Sequence, residues 1–225
     1  MKILFALVLM VFSPFLWADA GKALAEFEKA DAELNRVYQE VKEGLSESLF
    51  SVVQADQRQW VDYRIGLSEW QAAADGKNRE AEYDLAGSLT KERIKWLRAW
   101  LQAGEAPEFE GLYSDGYGGE LGIVKTEAGY QMRLSVVRGP TFHVGYLSGA
   151  LKVNGSTAWF EVDNGEGERP TWLTLLWQDD GTPRIRLLGE NTWYHHGARA
   201  YFDGRYLWMR ALSTEEKAEV LKGEE

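Results

Sequence analysis

Residues 57–64 read Gln57-Arg58-Gln59-Trp60-Val61-Asp62-Tyr63-Arg64, and Leu67 and Trp70 follow. Trp60, Tyr63, Leu67 and Trp70 step by three or four residues, which places them on one side of an α-helix. Arg58 falls on another face. Arg64 comes four residues after Trp60 and borders the apolar side, where a guanidinium must pair or snorkel. The spacing predicts a core helix with an internally paired arginine. The competing reading of the same stretch is a partner-binding surface.

The flanking sequence extends the helical pattern. Leu24, Phe27, Leu34, Tyr38, Val41 and Leu45 keep helical spacing, and Gly44 with Ser46 marks a stop and restart, with Ser46 as N-cap and Glu47 in the first turn. A second helix is expected from Glu47 to Ala74. Asp75-Gly76-Lys77-Asn78 is a turn cluster. A third helix is expected from Arg79 to Ala103, with Tyr83, Ala86, Ile94, Leu97 and Leu101 inward. Gly87 and Ser88 weaken its middle, and Thr90 is a candidate fresh N-cap there. Short connections imply antiparallel neighbours in a small bundle.

Helical spacing ends at Gly104–Pro107, and period-two alternation follows. In Tyr130-Gln131-Met132-Arg133-Leu134-Ser135-Val136 apolar and polar residues alternate, and Ala158, Phe160 and Val162 alternate with Thr157, Trp159 and Glu161. Turn signals at Glu127-Ala128-Gly129, Asn154-Gly155, Asp163-Asn164-Gly165 and Asp179-Asp180-Gly181 separate the runs. The pattern predicts about seven or eight short antiparallel strands between Leu112 and Met209, closing as a barrel or a sandwich. The fold class is α+β in two domains: a leader at 1–20, a helical domain at 21–104, a β domain at 105–212 and a charged tail at 213–225. The tail is read as a helical turn or two, or as unstructured.

Composition narrows the function. Lys2 precedes an apolar run from Ile3 to Trp17, and Ala18-Asp19-Ala20 is an A-x-A cleavage site. The mature chain is expected to begin at Gly21, with Asp19 as the alternative, in a periplasm or beyond. The run is too short and interrupted to span a bilayer well. The chain has no cysteine, which excludes a lipid-anchored cysteine, thiol catalysis, Cys-ligated zinc and disulfides. Its ten Trp, ten Tyr and nine Phe supply the core instead. Losing the leader removes one Lys and one Asp and leaves the net charge at −10. That balance disfavours nucleic acid and anionic lipid and suits a basic partner, although ordinary solubility also explains it.

No residue set proves a catalytic activity. A glycosidase needs two carboxylates about 5–10 Å apart across a cleft. Asp115, Glu120, Asp163, Glu166 and Asp203 all lie in or beside predicted turns, where turn chemistry accounts for Asp. Adjacent His195 and His196 point to opposite faces of a strand, so no metal site is assigned, and His143 stands alone. Asp115-Gly116-Tyr117-Gly118-Gly119-Glu120 lacks the Lys-Ser/Thr of a phosphate loop and reads as a flexible hairpin loop. Asp163–Glu168 lacks the ligand spacing of an EF-hand. No G-x-S-x-G occurs. Trp159, Trp172, Trp177, Trp193, Tyr194 and Trp208 crowd the β half and are read mostly as core, with sugar stacking or a protein hot spot as the alternative for exposed ones. No cofactor is expected.

The helical half resembles the LprI-type lysozyme inhibitor domain. The matching residues are Ala32-Glu33-Leu34-Asn35 with Tyr38, then Gln57-Arg58 with Trp60, Tyr63 and Arg64, then Leu89-Thr90 with Glu92-Arg93 and Leu97. Family members usually carry cysteines near the positions of Ser68 and Ala86-Gly87, so apolar packing is expected to replace that disulfide here. The β half is similar to a small domain that often follows such modules, with the closing signature Gly197-Ala198-Arg199-Ala200-Tyr201-Phe202-Asp203-Gly204-Arg205-Tyr206. The resemblance implies a non-enzymatic binder whose partner is lysozyme or another basic envelope protein. The motif residues Leu34, Asn35, Tyr38, Gln57, Arg58, Trp60, Tyr63, Arg64, Thr90 and Arg93 are read as structural. Asp115, Tyr117 and Glu120 are candidates for a protruding inhibitory loop. Trp193 and Tyr194 are candidates for contact with protein or peptidoglycan. A scaffold or glycan-binding role is the alternative.

Overall fold

The structure, a computed structural model, describes residues 15–102 and 108–223. Most of the expected leader, and its apolar run up to Pro14, lies outside the described residues. Three helices come first: α1 (Phe15–Gly44), α2 (Glu47–Ala74) and α3 (Arg79–Ala99). The Ser46 hydroxyl accepts from Leu49 N at 3.4 Å and starts α2. Asn78 Oδ1 accepts from Glu80 N at 3.0 Å and starts α3. These caps satisfy amides that the first helical turn leaves without intrahelical partners.

Helix α1 lies closely along α3. Ala23, Ala30, Leu34, Val37 and Val41 are buried on α1, and Ala86, Gly87, Thr90, Ile94 and Leu97 on α3. Contrary to the expected weak point, α3 runs unbroken through Gly87 and Ser88. Thr90 is no cap: its hydroxyl donates to Ala86 O at 2.7 Å inside the helix. The buried face of α2 runs through Trp60, Arg64, Leu67, Ser68 and Ala72. That stripe turns away from Trp70, which is exposed rather than inward. Leu101 is also exposed, in the turn beyond the end of α3. Ser68, near an expected cysteine position, donates its hydroxyl to Arg64 O at 2.8 Å.

Eight antiparallel strands follow: β1 (Gly111–Ser114), β2 (Gly119–Thr126), β3 (Gly129–Arg138), β4 (His143–Asn154), β5 (Thr157–Val162), β6 (Thr171–Gln178), β7 (Arg184–Glu190) and β8 (Gly204–Arg210). They form a closed barrel in chain order, with β1 pairing both β2 and β8. Closure removes the free edges that a sandwich would leave. Alternation sends Leu121, Ile123, Met132, Leu134, Phe160, Leu173, Leu175, Ile185, Leu187 and Tyr206 inward. The six aromatic residues read mostly as core are not fully buried: Trp172, Trp193 and Tyr194 are exposed, and Trp159, Trp177 and Trp208 half-buried. An eight-stranded barrel is just wide enough for its own side chains. Here aliphatic residues and smaller aromatics fill most of it, and Trp177 and Trp208 pack partly buried against that core.

The charged tail is a helix, α4 (Thr214–Lys222). Ser213 and Glu216 form a capping box, and Arg210 grips Glu216 through two bonds of 2.7 Å. Val220 seats on Gly122 of β2, where a Cβ would come within 2.8 Å of it.

Two predictions follow from this packing. A Cβ on Gly87 would meet only ordinary contact, 3.7 Å from Phe27 Cα, so Gly87→Ala should raise stability in urea unfolding by about 0.5–1 kcal/mol. The hydrogen bond from Arg210 holds the Glu216 carboxyl down at about 2, helped by the Ser213 amide. A lowered carboxyl pKa contributes stability above its ordinary value of 4.5 that is lost as pH falls toward 2. Protection factors of the α4 amides, corrected for intrinsic exchange, should therefore fall through that window, and Glu216→Gln should flatten the dependence.

Candidate functional site

The family-motif residues converge on two buried arginines. Arg64 donates to Asp31 Oδ1 at 2.7 Å and to Thr90 Oγ1 at 3.1 Å. Arg93 is fully buried, and donates through Nε to Gln57 Oε1 at 2.8 Å and through Nη2 to Asp56 Oδ2 at 2.6 Å. Both guanidiniums pack on Trp60, at 5.2 and 5.3 Å from the ring. Arg93 also lies 3.9 Å from the Trp96 ring. Burial pushes the Arg93 pKa down, and the Asp56 carboxylate opposes that shift. Leu34 is buried and Tyr38 packs partly buried against the same core, whereas Asn35 and Arg58 are exposed.

The loop between β1 and β2 does not protrude. Asp115 is buried and pairs with the buried Arg138. Asp115 Oδ1 also accepts from Tyr117 N and Gly119 N, each at 2.8 Å. Burial lowers the Arg138 pKa, but the charge and hydrogen bond of Asp115 outweigh it, and the group ends above its ordinary value. Tyr117 leaves the barrel and docks on the helices. Its hydroxyl donates to Asp56 O at 3.1 Å, and its ring meets Tyr63 edge-on at 5.4 Å. Burial, and then the Asp56 charge, pushes the Tyr117 pKa up. Gly116 has φ 75°, and a Cβ there would lie 2.7 Å from Arg93 Nη1. The glycines that suggest a flexible loop are therefore places of close approach. Of the loop candidates, Glu120 alone is exposed.

The surface carries three further features. The first is a groove of about 750 Å³ where Tyr63, Leu67 and Leu89 of the helices face Val137, Phe142 and Met209 of the barrel. Phe142, at the β3–β4 hairpin, is 49% exposed with φ 50°. The second is an aromatic knob: Trp193, 63% exposed, meets Tyr194 edge-on at 5.1 Å. Both lie in a 3-10 helix, Thr192–His195. The third is a cleft of about 520 Å³ between α2 and the outer face of β7 and β8.

His195 contacts Asn164 Oδ1 at 3.0 Å, and His196 contacts Thr192 Oγ1 at 3.1 Å. Among the described residues no three His, Asp or Glu side chains are grouped to hold a metal. Asp31, Asp56 and Arg138 are the partners that sequence reasoning missed. Helical spacing could have flagged Asp56, four residues before Trp60 on the same side.

The architecture is a three-helix module fastened to an eight-stranded barrel. The family model described as Lysozyme inhibitor LprI matches residues 20–97, the helical part, and ends before the barrel. No curated protein and no solved structure matches the chain.

Removing Arg93 would leave the Asp56 carboxylate partly buried without its partner. Arg93→Met should cost about 3 kcal/mol in urea unfolding. Arg93→Lys should recover only part of this, since one ammonium cannot reproduce the Nε and Nη2 geometry.

Proposed function

We propose that the protein is an exported, non-enzymatic binding protein that inhibits lysozyme by covering its cleft. The observation that carries this reading is the family match over residues 20–97. The net charge of −10 supports it, because a basic enzyme would be steered toward an acidic surface. Export rests on the leader pattern at 1–20 and implies a periplasmic or secreted location. Among the described residues no helix is long and apolar enough to cross a membrane.

The matched segment should contribute to the contact. The groove beside α3 is where that segment, through Leu67, Leu85 and Leu89, adjoins the exposed Phe142. Phe142 is then the anchoring side chain, with Glu120 at the rim. Purified protein starting at Gly21 should inhibit lysozyme at low salt, and inhibition should weaken as salt rises. Phe142→Ala should weaken inhibition about tenfold without lowering the melting temperature. Unchanged lysozyme activity at micromolar excess of the protein at low salt would rule the reading out.

A second reading rests on the knob formed by Trp193 and Tyr194, which suits stacking on a sugar face. It casts the protein as an envelope scaffold or peptidoglycan-binding module. Pull-down on isolated peptidoglycan, lost in Trp193→Ala or Tyr194→Ala, would favour it over inhibition; no pull-down would count against it.

A further inference from the structure

The cleft between α2 and the barrel has an unusual charge arrangement. Arg186 on β7 and Arg205 on β8 are direct cross-strand partners. Both line the cleft, and Ser51, Ala55 and Gln59 of α2 line it too. Neither arginine has a hydrogen bond or ion pair within the described residues, although nearly every other arginine near the joint does. Like charges directly opposite on neighbouring strands repel and destabilise the pair.

Two of the three carboxylates that line the cleft are paired with other arginines. Asp56 pairs with Arg93, and Asp115 with Arg138. Asp203 turns toward β7 and accepts from Gly189 N at 3.0 Å. Arg186, Arg205 and the Asp203 carboxylate are therefore the unpaired charges of the lining, an excess of one positive charge in a protein whose net charge is −10. Burial, together with the charges of Arg184 and Arg186, lowers the Arg205 pKa, and the Asp56 charge only partly opposes this. An anion between the arginines would relieve that strain.

We infer that the cleft binds a small organic oxoanion, its carboxylate or phosphate held between Arg186 and Arg205 and its polar body against Ser51 and Gln59. Guanidiniums present paired N–H donors that match the two oxygens of such groups. A volume of about 520 Å³ lies in the range of small-molecule sites. The inference does not rest on lysozyme binding, and the contact proposed for lysozyme lies in the separate groove beside α3.

Calorimetric titration of the full chain at low salt with glucuronate, glucose 6-phosphate and glucose tests it. At least one anion should bind saturably and raise the melting temperature, while glucose should do neither. Comparing the two anions tells carboxylate from phosphate preference. Arg186→Gln/Arg205→Gln should weaken binding at least about tenfold. The variant alone should melt no lower than the parent, because it removes a repulsive pair. Overturning results are no saturable binding of either anion, equal binding of glucose, undiminished binding by the variant, or a variant that melts lower.

Discussion

A fully buried guanidinium holds this molecule together. Arg93 carries a positive charge where no water reaches it, which is costly unless the charge is paired and hydrogen-bonded. Asp56 supplies the opposite charge and Gln57 a second acceptor. The faces of Trp60 and Trp96 cover the rest of the cation, with Tyr117 5.6 Å from it. Asp56 also receives the Tyr117 hydroxyl at its backbone oxygen. The residue that neutralises Arg93 thereby ties the barrel's first loop to α2. On the barrel side Arg138 repeats the device, pairing with Asp115 and donating to Tyr117 O at 2.7 Å. Tyr117 bridges two buried ion pairs, one in each module.

The remaining contacts are oriented by that bridge. The three buried tryptophans of the helical module, Trp60, Trp96 and Trp100, form one cluster, and Leu207 of β8 is buried in it. Trp96 Nε1 donates to Ser114 O at 3.1 Å, and Thr182 Oγ1 donates to Trp100 O at 3.2 Å. Each bond crosses from one module to the other. Hydrogen bonds at fixed angles set orientation more sharply than apolar area, which is non-directional. A chain without cysteine thus gains a defined relation between its halves.

Periodicity made much of this fold legible. The helix ends at Gly44 and Ala74, the capping role of Ser46 and the alternating strands all follow from residue type and spacing. Closure into a barrel did not, because alternation marks one buried face for barrel and sandwich alike. The order of α4 was hidden because its charges pair with distant Arg133 and with Glu110, as well as with nearby Arg210. Aromatic residues misled twice: Trp70 drifts off the buried stripe of α2, and Trp172, Trp193 and Tyr194 of the β half are exposed, whereas Trp177 and Trp208 do pack against the barrel core. At the site, Gln57, Trp60, Arg64 and Arg93 were readable as a set, and spacing puts Asp56 on the side of Trp60, but nothing in the sequence pairs Asp31 with Arg64 or Asp56 with Arg93. A carboxylate on an amphipathic helix looks the same whether it faces water or a buried arginine.

The segment Asp115–Glu120 shows how far local composition can mislead about mobility. Three glycines in six residues suggest a loop free to move. Gly116 has no room for a Cβ beside Arg93, and a Cβ on Gly119 would come within 2.6 Å of Asp115 Oδ2 and 2.7 Å of Arg138 Nη2. Glycine here serves close packing, so the loop is among the more constrained parts of the chain. Rigid residues that already satisfy one another have little left to offer a partner. The side chains proposed for recognition, Phe142, Trp193 and the two facing arginines, lie outside that network. The family-matched helices, on this view, act as the platform that fixes where those side chains stand.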